Sequence, residues 1–234
     1  MKKYIIITIL ILINTSIFGV SRGESVEKIY YENGQLESSI EYLDGLKNGI
    51  AIVYSKNGLI QVKGSFKKDM RHGLWTFYFE GSSTLQAVEF YENDRLQGKQ
   101  SYFYPNGRLK NISVYLDNGK TGTWEWYTEE GKLEAAIKYR NDYRGLVSIY
   151  DSAGRMTAQG PIVDEYRNGV WRFYDENGFL LYSMNYKRGN QVGHYEAYDR
   201  DGTLVITGIV DEDGNMLIDM DGKNEIIDSV LRRE

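Results

Sequence analysis

Residues 168–186 read NGVWRFYDENGFLLYSMNY. Trp171 and Phe173 stand two and four residues beyond Gly169 with Arg172 between them, the alternation of a half-buried strand. Asn177-Gly178 then interrupts the pattern, and Leu180, Tyr182, Met184 and Tyr186 resume it in the next stretch. Two alternating runs around a turn signal describe a β-hairpin. An Asn-Gly pair tolerates positive φ at both positions, so the spacing predicts a tight type I′ turn here and a looser polar turn at the other end of each strand.

The same phrase recurs along the chain. Its aromatic anchors are Tyr30, Tyr54, Tyr78, Phe103, Tyr127, Tyr150, Tyr174 and Tyr198, separated by 24, 24, 25, 24, 23, 24 and 24 residues. The turn glycines that follow are Gly34, Gly58, Gly107, Gly131, Gly154, Gly178 and Gly202, with Glu80-Gly81-Ser82-Ser83 standing in the third unit with one residue inserted. Leu36, Ser38, Ile40 and Tyr42 alternate as the quoted stretch does, and so do Leu133, Ala135, Ile137 and Tyr139. In the fourth unit Ile112 and Val114 fall on the opposite face from Leu109 and Tyr115. The polar turns end at Gly49, Gly73, Gly98, Gly122, Gly145, Gly169 and Gly193.

A fixed period of this length marks a stack of like units with contacts to neighbours and a long surface. The expected fold is all-β: an elongated array of about eight antiparallel hairpins in one long twisted sheet over residues 24–210. At about 4.8 Å per strand its sixteen or so strands span roughly 75 Å. An apolar stripe of that length must curl over its own rings, pair with another chain or hold a ligand. Tyr54, Trp75, Tyr78, Phe103, Trp124, Tyr127, Tyr150, Trp171, Tyr174 and Tyr198 are the expected ring spine, either packing or binding.

Lys2 and Lys3, an apolar run from Tyr4 to about Leu12, and a close in small residues form a secretory signal pattern over residues 1–23, too short to span a bilayer. Its removal changes the net charge from −5 to −8, because it takes Lys2, Lys3 and Arg22 and no acid. An acidic chain has no general attraction for nucleic acid. With no cysteine there are no disulfides, thiolate metal sites or thiol nucleophiles. In residues 211–234, a last hairpin is expected around Asp213-Gly214. A capping helix is expected over 224–233, where Ile226, Ile227, Val230 and Leu231 recur at helical spacing.

The phrases HGLWTFYFEG, TGTWEWYTEEG, NGVWRFYDENG, YYENGQL and YDENGFLLYSMNY resemble the bacterial variant of the MORN repeat, the group often described as YwqK-type antitoxin-like proteins. The likeness extends over about residues 26–210. It implies a hairpin array with a role in protein association or scaffolding, and such repeats have also been linked to phospholipid contact.

Little in the chain suggests chemistry. His72 and His194 lie five units apart, too distant to share a site. Gly119-Lys120-Thr121 lacks the earlier glycine of a phosphate-binding loop, since Val114 stands there. A calcium loop starting at 217 would need Leu217 and Asp228 as its first and last ligands, which fits poorly. Lys63, Lys67, Lys68, Arg71 and His72 form a basic bunch that reads as charge compensation or a docking patch. The rings could instead line a groove for sugars or quaternary ammonium groups. No catalytic residue, cofactor or metal ligand is expected. The expected role is an exported, non-enzymatic interaction or scaffold protein of the periplasm, cell surface or exterior, with another protein or a second copy as partner. A carbohydrate or phospholipid headgroup at the cell envelope, and an antitoxin role, are the alternatives.

Overall fold

The computed structural model describes residues 23–211, 213–220 and 223–226. Residues 1–22 of the expected signal segment and the end of the expected helix, from residue 227, lie outside these. Among the described residues there is no helix. Twenty-one strand segments form one antiparallel sheet in which each strand pairs with its neighbours in the chain. Three of the strands are broken in two at His72, Gln97 and Asn168, so the segments make eighteen strands, about 80 Å across the sheet. Contacts between elements run along this order and build no second layer.

Pairing passes from strand to strand through the sheet, with a register irregularity in most pairs. On one face, here the ring face, pairing links Ser38, Val53, Val62, Phe77, Ala87 and Tyr102 in turn. It continues through Asn111, Trp126, Ala135, Ile149, Ala158 and Phe173. Through most of this row a large side chain from the strand before an anchor meets a small one from the strand after it. That is how a single layer fills space without a partner sheet. The outer face carries Ser39, Ile52, Lys63, Thr76, Val88, Ser101, Ile112 and Glu125 in the corresponding row. The alternation read from the sequence therefore holds. So does its break in the fourth unit, where Asn111 and Ser113 take the ring face and Ile112 the outer one. The apolar core splits there into one cluster around Trp75 and another around Trp171.

The two turn types are the reverse of those expected. At Asn177-Gly178 only the glycine has positive φ, 83°. Asp175 N donates to Phe179 O and Gly178 N to Asp175 O, a three-residue loop in which a type I turn ends in a left-handed glycine. The tight two-residue turns lie at the polar ends. Positive φ at both positions occurs at Asp44-Gly45, Lys68-Asp69, Asn93-Asp94, Asp117-Asn118, Asp164-Glu165 and Arg188-Gly189. Loop length is the cause: Leu43 pairs with Leu46, leaving two residues, a loop that matches the strands' right-handed twist in a primed turn, and positive φ at both positions makes it I′. These tips are laced together. Asp69 Oδ1 accepts from Lys47 N at 2.8 Å, Asp94 Oδ1 from Arg71 N at 3.0 Å and Asn118 Oδ1 from Leu96 N at 2.7 Å, so each turn carboxylate or amide caps the hairpin before it.

The C-terminal end departs from the expected helix. Asn224–Ile226 belong to the strand Lys223–Ile226, which pairs with Met216–Met220, as Ile218 does with Glu225. An open sheet edge is satisfied more fully by another strand than by a helix, because the ladder continues. The hairpin around Asp213-Gly214 forms, with Asp211 N donating to Asn215 O at 2.9 Å. It is a glycine-type turn at the edge that otherwise carries the I′ turns, so the array changes phase at Leu204–Val210. Leu217 lies within a paired strand, which leaves no calcium loop beginning there.

Candidate functional site

Three tryptophans organise the ring face. Trp75 Nε1 donates to Ser65 O at 3.2 Å, Trp124 Nε1 to Val114 O at 3.0 Å and Trp171 Nε1 to Pro161 O at 2.9 Å. Each indole lies back across the preceding strand onto a carbonyl near an irregularity in the pairing. Pro161 suits such a place, since it has no N–H to give. Two of the indoles lie over glycines: a Cβ on Gly64 would come 2.2 Å from Trp75, and one on Gly160 2.3 Å from Trp171. Trp75 and Trp171 are buried, and Trp124 is half-buried against the second cluster.

A cation stands four residues before each tryptophan. Arg71 lies 3.9 Å above the Tyr91 ring, Lys120 lies 5.6 Å from both Trp124 and Tyr139, and Arg167 lies 4.4 Å from Trp171 and 5.2 Å from Tyr186. The ring boxes that could have received a quaternary ammonium are thus filled by the chain's own cations. Lys120 also pairs with Glu165 from a turn beyond the next hairpin. Burial alone would lower the Lys120 ammonium, but Glu165, with Tyr139 and Tyr115, outweighs it and the net direction is upward. The offset of four between cation and tryptophan is legible in the repeat itself.

Between the two clusters Glu89 accepts from Tyr91 OH at 2.5 Å and from Tyr102 OH at 2.8 Å. Burial first, and Glu89 with it, pushes both phenols up. Gln100, fully buried, accepts from Phe90 N at 2.6 Å and donates to Gln97 O and Gly98 O.

The anchor tyrosines lie elsewhere than the tryptophans. Tyr78 and Tyr127 stand two residues past Thr76 and Glu125, and alternation places them on the outer face. Tyr127 OH donates to Glu125 Oε2 at 2.7 Å and Tyr198 OH to Glu196 Oε2 at 2.7 Å, which agrees. Tyr54, Phe103, Tyr150 and Tyr174 occupy the same place in their units and, like these, are half-buried. Anchors recur every second strand, about 9.6 Å apart, beyond the range at which rings interact. The single spine read from the sequence is therefore two structures: tryptophans packed on one face and a ladder of separated anchors on the other. The turn glycines Gly34, Gly58, Gly107, Gly131, Gly154, Gly178 and Gly202 all carry positive φ.

A shallow cleft of about 620 Å³ opens beside Tyr198, lined also by Leu181, Phe179, Asp175, Asp199 and Arg200. Asp175 Oδ1 accepts from Asn177 N and Phe179 N, and Asp199 Oδ1 from Asp201 N and Thr203 N, so both carboxylates are held in fixed orientation.

The basic bunch is partly absorbed. Arg71 pairs with Asp94 at 2.9 Å, and Lys63 lies on the outer face. His72 and His194 stand about ten strand spacings, roughly 48 Å, apart. Among the described residues no group of three or more His, Cys, Asp or Glu could hold a metal ion.

Residues 24–44, 96–117, 120–141 and 167–188 match the family described as MORN repeat variant. Among solved structures the chain is similar to the crystal structure of TarM, at 9% identity and a TM-score of 0.34, over 46% of this chain and 20% of that one. It is also similar to TcdB2-TccC3-TEV, at 14% identity and a TM-score of 0.23, over 84% of this chain and 13% of that one. The chain spans a fifth or less of the length of these proteins, and the likeness says nothing about binding.

Proposed function

We propose that the chain, four segments of which match the MORN repeat variant, a module that generally serves protein or membrane interaction, is an exported, non-enzymatic scaffold protein of the bacterial cell envelope. The single layer carries this reading. A ribbon about 80 Å long presents two long faces, and among the described residues the element contacts build no second layer on either. The outer face exposes Ile50, Leu74, Phe90, Leu146 and Val170, side chains of the kind that associating surfaces present. No helix among the described residues is long and apolar enough to cross a membrane. The signal pattern at the N-terminus supports export, and the partner is another protein. Crosslinking in intact cells followed by mass spectrometry tests both parts: envelope proteins should be recovered with a chain whose first residue falls near 20–24. An uncleaved cytoplasmic chain crosslinked to a single soluble toxin would replace this reading with the antitoxin one.

A further inference from the structure

We propose that the outer-face anchor ladder binds an extended β-1,4-linked glycan, with the cleft beside Tyr198 as one of its subsites. The proposal goes beyond the scaffold reading and does not rest on it.

Spacing carries the argument. Successive anchors stand two strands, about 9.6 Å, apart, slightly less than the distance over which alternate sugars repeat in an extended β-1,4-linked chain. Each ring would therefore meet the same face of every second sugar. Among the described residues no ring–ring contact involves an anchor of the ladder, in contrast to the tryptophans, so these rings do not pack on one another.

The chemistry alongside the rings fits a sugar. A pyranose offers an apolar C–H face to an aromatic ring and a rim of hydroxyls to polar groups. The outer row next to the anchors runs Ser148, Gln159, Arg172, Ser183, Glu196 and Thr207, polar side chains paired strand to strand. Beside Tyr198, Leu181 and Phe179 extend the apolar floor, while Asp175, Asp199 and Arg200 supply acceptors and a donor at the rim. The two carboxylates are already oriented by turn N–H groups, so little ordering cost remains to be met on binding.

The test is isothermal titration of the purified full chain with cello- and chito-oligosaccharides from two to six sugars, with maltohexaose as the α-linked comparison. Affinity should rise with length for a β-linked series, because each added pair of sugars reaches another anchor, and maltohexaose, whose chain coils, should not bind. A series that works only with chito-oligosaccharides supports the proposal and adds an acetamido contact. Tyr198→Ala should weaken hexasaccharide binding by about tenfold, with Tyr143→Ala, at an exposed turn on the opposite edge, leaving it unchanged. Arg200→Ala, an exposed side chain whose loss leaves the packing alone, gives the same readout if Tyr198→Ala fails to fold by circular dichroism. Equal binding of maltohexaose, no dependence on length, no binding at millimolar sugar, or indifference to both substitutions overturns the proposal.

Discussion

Gly160→Ala should destabilise the array by about 2–3 kcal/mol. An ideal Cβ at Gly160 falls 2.3 Å from Trp171 Cδ2 and Cγ and 2.4 Å from Cδ1, deep inside the indole. The indole has little room to retreat: Trp171 is 2% exposed, its Nε1 is bonded to Pro161 O, and Arg167 covers its face at 4.4 Å. Overpacking of this kind costs about 1–3 kcal/mol, and losing the indole hydrogen bond adds about 1 kcal/mol. Alanine's advantage over glycine in a strand returns about 0.5–1 kcal/mol. For a chain of this length that is a fall of roughly 5–10 °C in Tm, read by tryptophan fluorescence and near-UV circular dichroism. Because units contact only their neighbours, the melt should also lose cooperativity. In a Trp171→Ala background the alanine at 160 should cost almost nothing. Gly154→Ala is the contrast: nothing lies within 4 Å of its Cβ, but φ is +82°, so it should cost about 1 kcal/mol by strain alone in either background. A Gly160→Ala variant melting within 2 °C of the parent, or a cost unchanged when Trp171 is removed, would refute the account of the indole lying on the glycine.

Lys68 holds φ 51° in an I′ turn without the side chain chemistry that favours it, so Lys68→Gly should raise stability by about 1 kcal/mol in a thermal melt. Tyr127 is pushed from 10.0 up to about 12, first by burial and then by Glu125, and Tyr91 and Tyr102 are pushed higher still by burial and Glu89. A phenol whose folded pKa is raised contributes stability that is complete below pH 10 and is lost as the pH rises toward its folded value. Alkaline unfolding with a simultaneous rise of tyrosinate absorbance is expected between pH 10 and 12, and titration of these rings near pH 10 in a folded chain would contradict the burial. The carboxyls of Asp151 and Asp211 are held below 3.8, Asp151 chiefly by the Arg155 N–H and Asp211 chiefly by the Asn215 side chain. Their contribution is present above pH 3.8 and declines as the pH falls through the folded values, so Asp151→Asn should flatten the acid limb of a stability profile.

Some of this was settled by residues close together in the chain. Period, hairpins and the alternation of Trp171, Phe173, Tyr182 and Met184 follow from side chains two apart pointing the same way, and so does the polar break where Asn111 and Ser113 enter the ring face. Candidate ligand residues were harder to read, because aromatic identity does not say which face a ring takes. Tertiary structure decided that the anchors oppose the tryptophans, that Arg71, Lys120 and Arg167 occupy the ring boxes, and that the final units pair as strands with their turns exchanged between edges. Each of these depends on register between strands some twenty residues apart. A register is set by loop length and bulges together, and a shift of one residue turns every side chain to the other face.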